Sequence, residues 1–217
     1  MAILELRDVV FEVGGQRILD GLSFSIERGD FVLLKGPSGS GKSTLLKLLN
    51  NLISASEGSI LYKGKEIEIY DPIDLRREIS YCLQTPVLFG EVVREDMEFV
   101  FKSRGQAYQE EKVSEVMEYF QLSEGDLDKE VMNLSGGEKQ RLALVRSLLF
   151  MPEVLLLDEV TSALDETNAS IVEGAIKLLN QKGITVIWIS HQVKRHEPLA
   201  NKIIGLKGGK LDEMEGY

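Results

Sequence analysis

The stretch Gly36 to Thr44, GPSGSGKST, constrains this chain more than any other. Glycine, four residues, glycine, lysine and a hydroxyl residue stand between an apolar run, FVLLK, and a leucine-rich segment. Such a chain must turn sharply from a strand into a helix. Glycines permit left-handed and close-approach backbone, so successive N–H groups can converge on an anion at the helix N-terminus. The pattern points to a phosphate cradle made by Gly36, Pro37, Ser38, Gly39, Ser40 and Gly41. Lys42 would reach the β/γ-phosphates, Ser43 would offer its hydroxyl oxygen to Mg²⁺, and Thr44 would lie near the α-phosphate. A plain glycine-rich strand-to-helix turn is the alternative.

A phosphate cradle becomes a hydrolytic site only with a metal ligand and a group that activates water. VLLLDE supplies candidates for both: Asp158 for the Mg²⁺ shell and Glu159 for the attacking water, at the end of an apolar strand. A carboxylate pair after a strand could also stabilise a helix N-terminus through its dipole. His191 follows another apolar run, TVIWIS, and so falls at the same kind of strand end, where ligands of open α/β sheets bind. Its imidazole could contact the γ-phosphate and orient the water beside Glu159. The other histidine, His196, lies in the charged segment KRHEP and reads as a surface residue.

The rest of the chain can be read around these stretches. ILEL, VVFEV, LSFSIE and FVLLK are short β segments separated by Gly14-Gly15 and Gly29-Asp30, which suggests a partly antiparallel sheet. Leu45, Leu46, Leu48, Leu49 and Leu52 mark a helix with a broad apolar face. From about Tyr70 to Asn133 the sequence turns charged and helical, with Val113, Val116, Met117 and Phe120 at helical spacing, as in an inserted helical subdomain. VLLLD and TVIWIS are continuous apolar runs of the kind that form central parallel strands, with a helix near Ile171 to Leu179 between them. KIIGLKGGKLDEM reads as two strands joined at Gly208-Gly209.

Composition narrows the function classes. With 43% hydrophobic and 28% charged residues the chain is expected to be a soluble globular domain. A net charge of −10 without a basic run argues against nucleic acid or anionic lipid as the main partner. The single cysteine, Cys82, reads as a small buried hydrophobe and fits a reducing compartment. MAILELRDVV does not look like a secretory signal. The apolar runs fall well short of the roughly 20 residues that cross a bilayer, so any membrane crossing would belong to another chain.

LSGGEKQR, Leu134 to Arg141, has no metal-ligand spacing and no nucleophile-base pair. Ser135-Gly136-Gly137-Glu138 does read as a helix capping box, with Ser as N-cap and Glu at the third position. The order of the Gly36-to-Ser43 loop, Gln84 in SYCLQTP, LSGGEKQR, LLLDE, SALD and His191 resembles the ATP-binding cassette (ABC) ATPases along nearly the whole chain. The resemblance implies an α/β P-loop NTPase fold. A mainly parallel core sheet, an N-terminal antiparallel β subdomain and an inserted helical subdomain at approximately 85–145 would make one ABC ATPase domain over 1–217.

By the same resemblance, Ser135, Gly136 and Gly137 would face the γ-phosphate of ATP bound to the opposite subunit of a head-to-tail homodimer. Gln84 would contact the metal or water and sense the membrane partner, and Asp165 in SALD would lie at the dimer interface. Phe89 and Val92 would line a groove for a helix of that partner, or pack within the helical subdomain. Val13 stands where many cassettes carry an aromatic ring against the adenine; Phe11, two residues away on an extended strand, would face the same way. SYCLQTPVLFG and LLFMPEVLLLDEVTSALDETN look most like the ATP-binding subunits of bacterial iron-export ABC transporters. The implied protein is a cytoplasmic ATPase using ATP and Mg²⁺, held at the inner face of the cell membrane by a separate permease. Importers of phosphate or amino acids and regulatory cassettes without transport are the rivals. Repair and translation cassettes fit less well, because no long coiled coil, second cassette or basic surface is visible.

Overall fold

A computed structural model describes residues 2–216. Two compact units emerge. The described parts of Met1–Tyr81, Pro152–Glu159 and Leu179–Tyr217 form the first, and Cys82–Met151 with Val160–Leu178 the second.

The first unit contains an antiparallel sheet of β1 (Ala2–Val13), β2 (Gln16–Glu27), β4 (Glu57–Tyr62) and β5 (Lys65–Glu66), in the order β2-β1-β4-β5. β1 and β2 turn at Gly14 and Gly15, both at positive φ, as a two-residue hairpin of this hand requires. ILEL and VVFEV are one strand, not two. Asp8 at φ 48° makes an irregularity between them, and pairing with β2 resumes at Val9. Across it runs Gly58 at φ 81°, where a Cβ would lie 2.3 Å from the Asp8 carbonyl oxygen.

The second sheet has the order β10-β9-β3-β8-β7-β6: β3 (Phe31–Lys35), β6 (Ile79–Cys82), β7 (Val154–Asp158), β8 (Thr185–Ile189), β9 (Lys202–Lys207) and β10 (Lys210–Gly216). β3 pairs parallel with β8 and β9, β7 pairs parallel with β8, and β10 is antiparallel to its neighbour β9. β7 and β8 are buried at every residue, which is why their sequences are continuously apolar rather than alternating. Helix α1 (Lys42–Leu49) packs into the core with Leu45, Leu46, Leu48 and Leu49. Leu52 does not belong to it. Asn51 at φ 51° ends the helix in a left-handed turn and leaves Leu52 exposed.

ISYC lies within the stretch expected to be helical, yet it forms β6 beside β7, after the short helix α2 (Pro72–Glu78). Strand pairing outweighs the helical character of its neighbours. His196 also departs from expectation. It ends α7 (Val193–His196) and is wholly buried, so the charged letters around it conceal an inward-facing ring.

The second unit holds α3 (Val93–Ser103), α4 (Glu110–Tyr119), α5 (Gly136–Leu148) and most of α6 (Glu166–Gln181). Val113, Val116, Met117 and Phe120 are buried, as their spacing suggests. Cys82 is buried too, and burial pushes its thiol up to about 11. Asp96 of α3 is fully enclosed and meets Arg146 Nη1 of α5 at 3.0 Å. The Phe89 N–H donates to the same Asp96 oxygen at 2.7 Å, and Arg146 Nη1 donates to the Val87 carbonyl at 2.6 Å.

Because Gly58 combines positive φ with backbone contact, Gly58→Ala is expected to destabilise the protein by more than about 1 kcal/mol. Urea unfolding at constant m-value would measure it; a neutral effect would mean that the β1–β4 crossing relaxes freely.

Candidate active site

In the first unit the phosphate loop begins where β3 ends. A Cβ on Gly36 would lie 2.1 Å from the Leu206 carbonyl oxygen, and one on Gly41, at φ 96°, 2.5 Å from Leu19 Cδ2. No larger residue fits without movement of the walls. The loop enters α1 at Lys42 without a side-chain cap, so the first helical amides point at the loop's own concavity. Lys42 is buried, and Nζ donates to the carbonyls of Gly36 (2.8 Å) and Pro37 (2.9 Å). Burial lowers its pKa from the ordinary lysine value, while Glu159 and Asp158 pull the other way.

Asp158 closes β7. Its Oδ1 accepts from Ser43 Oγ at 3.1 Å and its Oδ2 from the Tyr81 hydroxyl at 2.7 Å. Glu159 adopts φ 52°, and its N–H donates to the Ile189 carbonyl at 3.1 Å, which fixes the turn after the strand. Its Oε1 lies 2.7 Å from His191 Nε2. Lys42, Ser43, Asp158, Glu159 and His191 thus lie around one end of the sheet. A cavity of about 300 Å³ has Ile18, Ser38, Lys42, Thr44 and Glu159 among its lining residues. Tyr81 and Ile18 were not singled out by sequence. Tyr81 stands in SYCLQTP, but only the pairing of β6 with β7 aims it at Asp158.

Val13 sits at the β1–β2 hairpin with 59% of its surface exposed, whereas Phe11 is half-buried against the core. A register shift between Phe11 and Glu12 breaks the alternation that would have pointed both side chains the same way.

In the second unit, Ser135 caps α5. Its Oγ accepts from the Glu138 N–H at 3.2 Å, and Glu138 Oε2 accepts from the Ser135 N–H at 2.9 Å. Lys129 reaches the same carboxylate at 2.8 Å. Lys129 and the two Ser135 donors hold the Glu138 carboxyl down to about 2. A Cβ on Gly137 would lie 2.8 Å from the Asn168 side chain, whereas Gly136 has open space. Asn168 is itself fixed by Asp165, which accepts from its N–H (2.9 Å) and from Nδ2 (2.6 Å). Gln84 is exposed and its Nε2 donates to Ser162 Oγ at 3.4 Å. Phe89 is exposed against Phe99, with ring centroids 5.4 Å apart.

Residues 19–162 match the sequence profile described as ABC transporter. This chain belongs to the ABC transporter family. The cassette is 41% identical over 214 residues to the probable iron export ATP-binding protein FetA of Escherichia coli (strain K12), across 97% of this chain and 95% of that protein. It is 34% identical to the spermidine/putrescine import ATP-binding protein PotA of Mycoplasma mycoides subsp. mycoides SC, across 98% of this chain and 61% of that protein. A bacterial Atm1-family ABC exporter with ATP bound has the same fold, with a TM-score of 0.87 at 29% identity, covering 98% of this chain and 38% of that one. The cassette is an ATP-binding subunit of a transporter, and its enzymatic activity is ATP hydrolysis coupled to transport. Among the described residues no helix is long and apolar enough to cross a membrane.

The geometry suits the substrate and its usual cation. Ser40 Oγ is buried inside the loop with no hydrogen-bond partner among the described residues, a polar atom suited to a phosphate-bearing ligand. Ser43 Oγ and Asp158 Oδ1 form a pair of hard oxygens, the ligand type that Mg²⁺ selects.

Ser135→Ala should cost about 1 kcal/mol through loss of the cap. The Glu138 carboxyl is lowered from its usual 4.5 to about 2, so its stabilising contribution is complete above pH 4.5 and fades as pH falls toward 2. The unfolding free-energy gap between the parent and Glu138→Gln should therefore shrink across that window; a gap independent of pH would contradict the assignment.

Proposed function

We propose that this cassette is the ATP-hydrolysing subunit of an exporter of iron or another metal. Two copies would close around two ATP molecules and drive a separate integral-membrane subunit, with the cassette on the cytoplasmic face. The approach of Glu159 Oε1 to His191 Nε2 beside the phosphate loop carries the hydrolytic part of this reading. The 41% identity across nearly both whole chains supports the cargo. The helical part, approximately 85–145, would receive the membrane subunit, with exposed Phe89 as a contact.

In this reading Lys42 exchanges the Gly36 and Pro37 carbonyls for β/γ-phosphate oxygens, while the loop amides from Gly36 to Gly41 cradle the phosphates. Ser43 and Asp158 would hold Mg²⁺, which when bound would neutralise charge on the phosphate oxygens. Glu159 accepts the proton of the attacking water, and His191 orients Glu159 and contacts the γ-phosphate. Ser135, Gly136 and Gly137 close on the γ-phosphate of the opposite copy, and Asp165 lies at the interface between copies. Val13 offers the adenine only apolar contact.

Glu159→Gln should keep ATP binding and lose about 10²- to 10⁴-fold in turnover, read in steady-state phosphate release. Near-normal turnover would defeat the assignment. Ser135→Arg should abolish turnover while the single chain still binds ATP; if that variant hydrolyses normally, the shared site is wrong. Cells lacking the gene should accumulate iron and become more sensitive to peroxide. Unchanged iron with altered uptake of another solute would instead favour an importer.

A further inference from the structure

The buried imidazole of His196 has no part in the reading above, yet it occupies an expensive position. A polar ring enclosed in a core costs free energy unless its nitrogens are bonded. His196 is 0% exposed and stacks on Trp188, with centroids 4.5 Å apart and planes at 25°. Trp188 in turn stacks on Phe31 at 6.1 Å, so the imidazole rests against rings carried by β8 and β3. A phenyl ring would fill such a place without the cost of a polar edge. The imidazole brings Nδ1 to 2.5 Å from Ser190 Oγ.

Ser190 is the residue between β8 and His191, and it is buried as well. Its Oγ also accepts the Gln192 N–H at 2.9 Å. The His196 N–H returns to the Gln192 carbonyl at 3.2 Å. The backbone on both sides of His191 is therefore tied to His196, once through the Ser190 hydroxyl and once through the short helix. The His191 side chain is about half exposed, so its aim at Glu159 depends heavily on this turn. Ser190 and His191 also line a cavity of about 310 Å³ with Gly36 and Pro37, which puts the turn against the phosphate loop.

We infer that His196 is a positioning residue for ATP hydrolysis, which through Ser190 holds the turn that carries His191 against Glu159. This rests on the role proposed above for His191. Its effect falls on the alignment of the reacting groups and not on nucleotide affinity, because Lys42 and Ser43 do not depend on it. A misplacement of about 1 Å at such a site can cost about 10²-fold in rate.

Steady-state ATPase kinetics of the intact chain test this, with thermal unfolding measured alongside. His196→Phe keeps a ring on Trp188 and loses the bond to Ser190, and should lower kcat about tenfold or more while KM for ATP changes less than about twofold. His196→Asn sets an amide oxygen near the Nδ1 position and loses the stack. It should be less stable than His196→Phe but faster, an inversion that a purely structural role cannot give. Ser190→Ala removes the same bond from the other end and reads out the proposal should His196→Phe not fold; adding His196→Phe to it should cost no further kcat. Turnover that simply follows stability, or independent losses in the double variant, would overturn the proposal. His191→Ala separates the two readings. If it leaves turnover intact, the role of His191 fails and the positioning proposal with it; if it abolishes turnover while His196→Phe is normal, only the positioning proposal fails.

Discussion

The site depends first on the parallel alignment of β3, β7 and β8. Leu34 and Asp158 are both paired with Ile189, so the three strands end at one level. Segments more than a hundred residues apart in sequence thereby deliver a phosphate loop, two carboxylates and a histidine to the same sheet edge, where open α/β sheets bind ligands. The alignment is enforced by burial. β7 and β8 have no solvent face to offer, and a slip of β7 by one residue would draw the Asp158 carboxylate toward the core.

A chain with a net charge of −10 that binds a polyanion poses an electrostatic question that local structure resolves. What the triphosphate meets is not the summed charge but Lys42, the uncapped start of α1 and the loop amides, all within a few ångströms. The carboxylates of Asp158 and Glu159 would repel a bare anion. Asp158 is bonded to the hydroxyls of Ser43 and Tyr81 and Glu159 to the His191 imidazole, so neither carboxylate faces the ligand without a partner, although Glu159 itself lines the cavity. Net charge bears on the protein's partners and solubility, while the site is set by groups too few to affect it.

Much of this was legible because it is local. The glycine spacing of the loop, the continuous apolar runs of β7 and β8, the hairpin at Gly208-Gly209 and the Ser135–Glu138 cap are each written within a few adjacent residues. What was not legible depends on contacts made far along the chain. ISYC becomes a strand because β7 lies beside it, and only then does Tyr81 reach Asp158. Phe11 and Val13 part company because of a register shift that no composition signals. The charged neighbours of His196 suggested solvent, but its own side chain turns inward from the end of a short helix onto Trp188.

The Asp96–Arg146 pair has a mechanical meaning. It is enclosed on the Asp side, and breaking such a pair by removing one partner typically costs about 3–5 kcal/mol. Because the same two side chains also hold the backbone of Val87 and Phe89, that segment cannot peel away as a loose strap. A load applied at Phe89 is shared at once by α3 and α5, and α5 is the helix that starts at Gly136, immediately after Ser135. The 87–89 segment is therefore anchored to the bodies of two helices and not only to its neighbours in sequence.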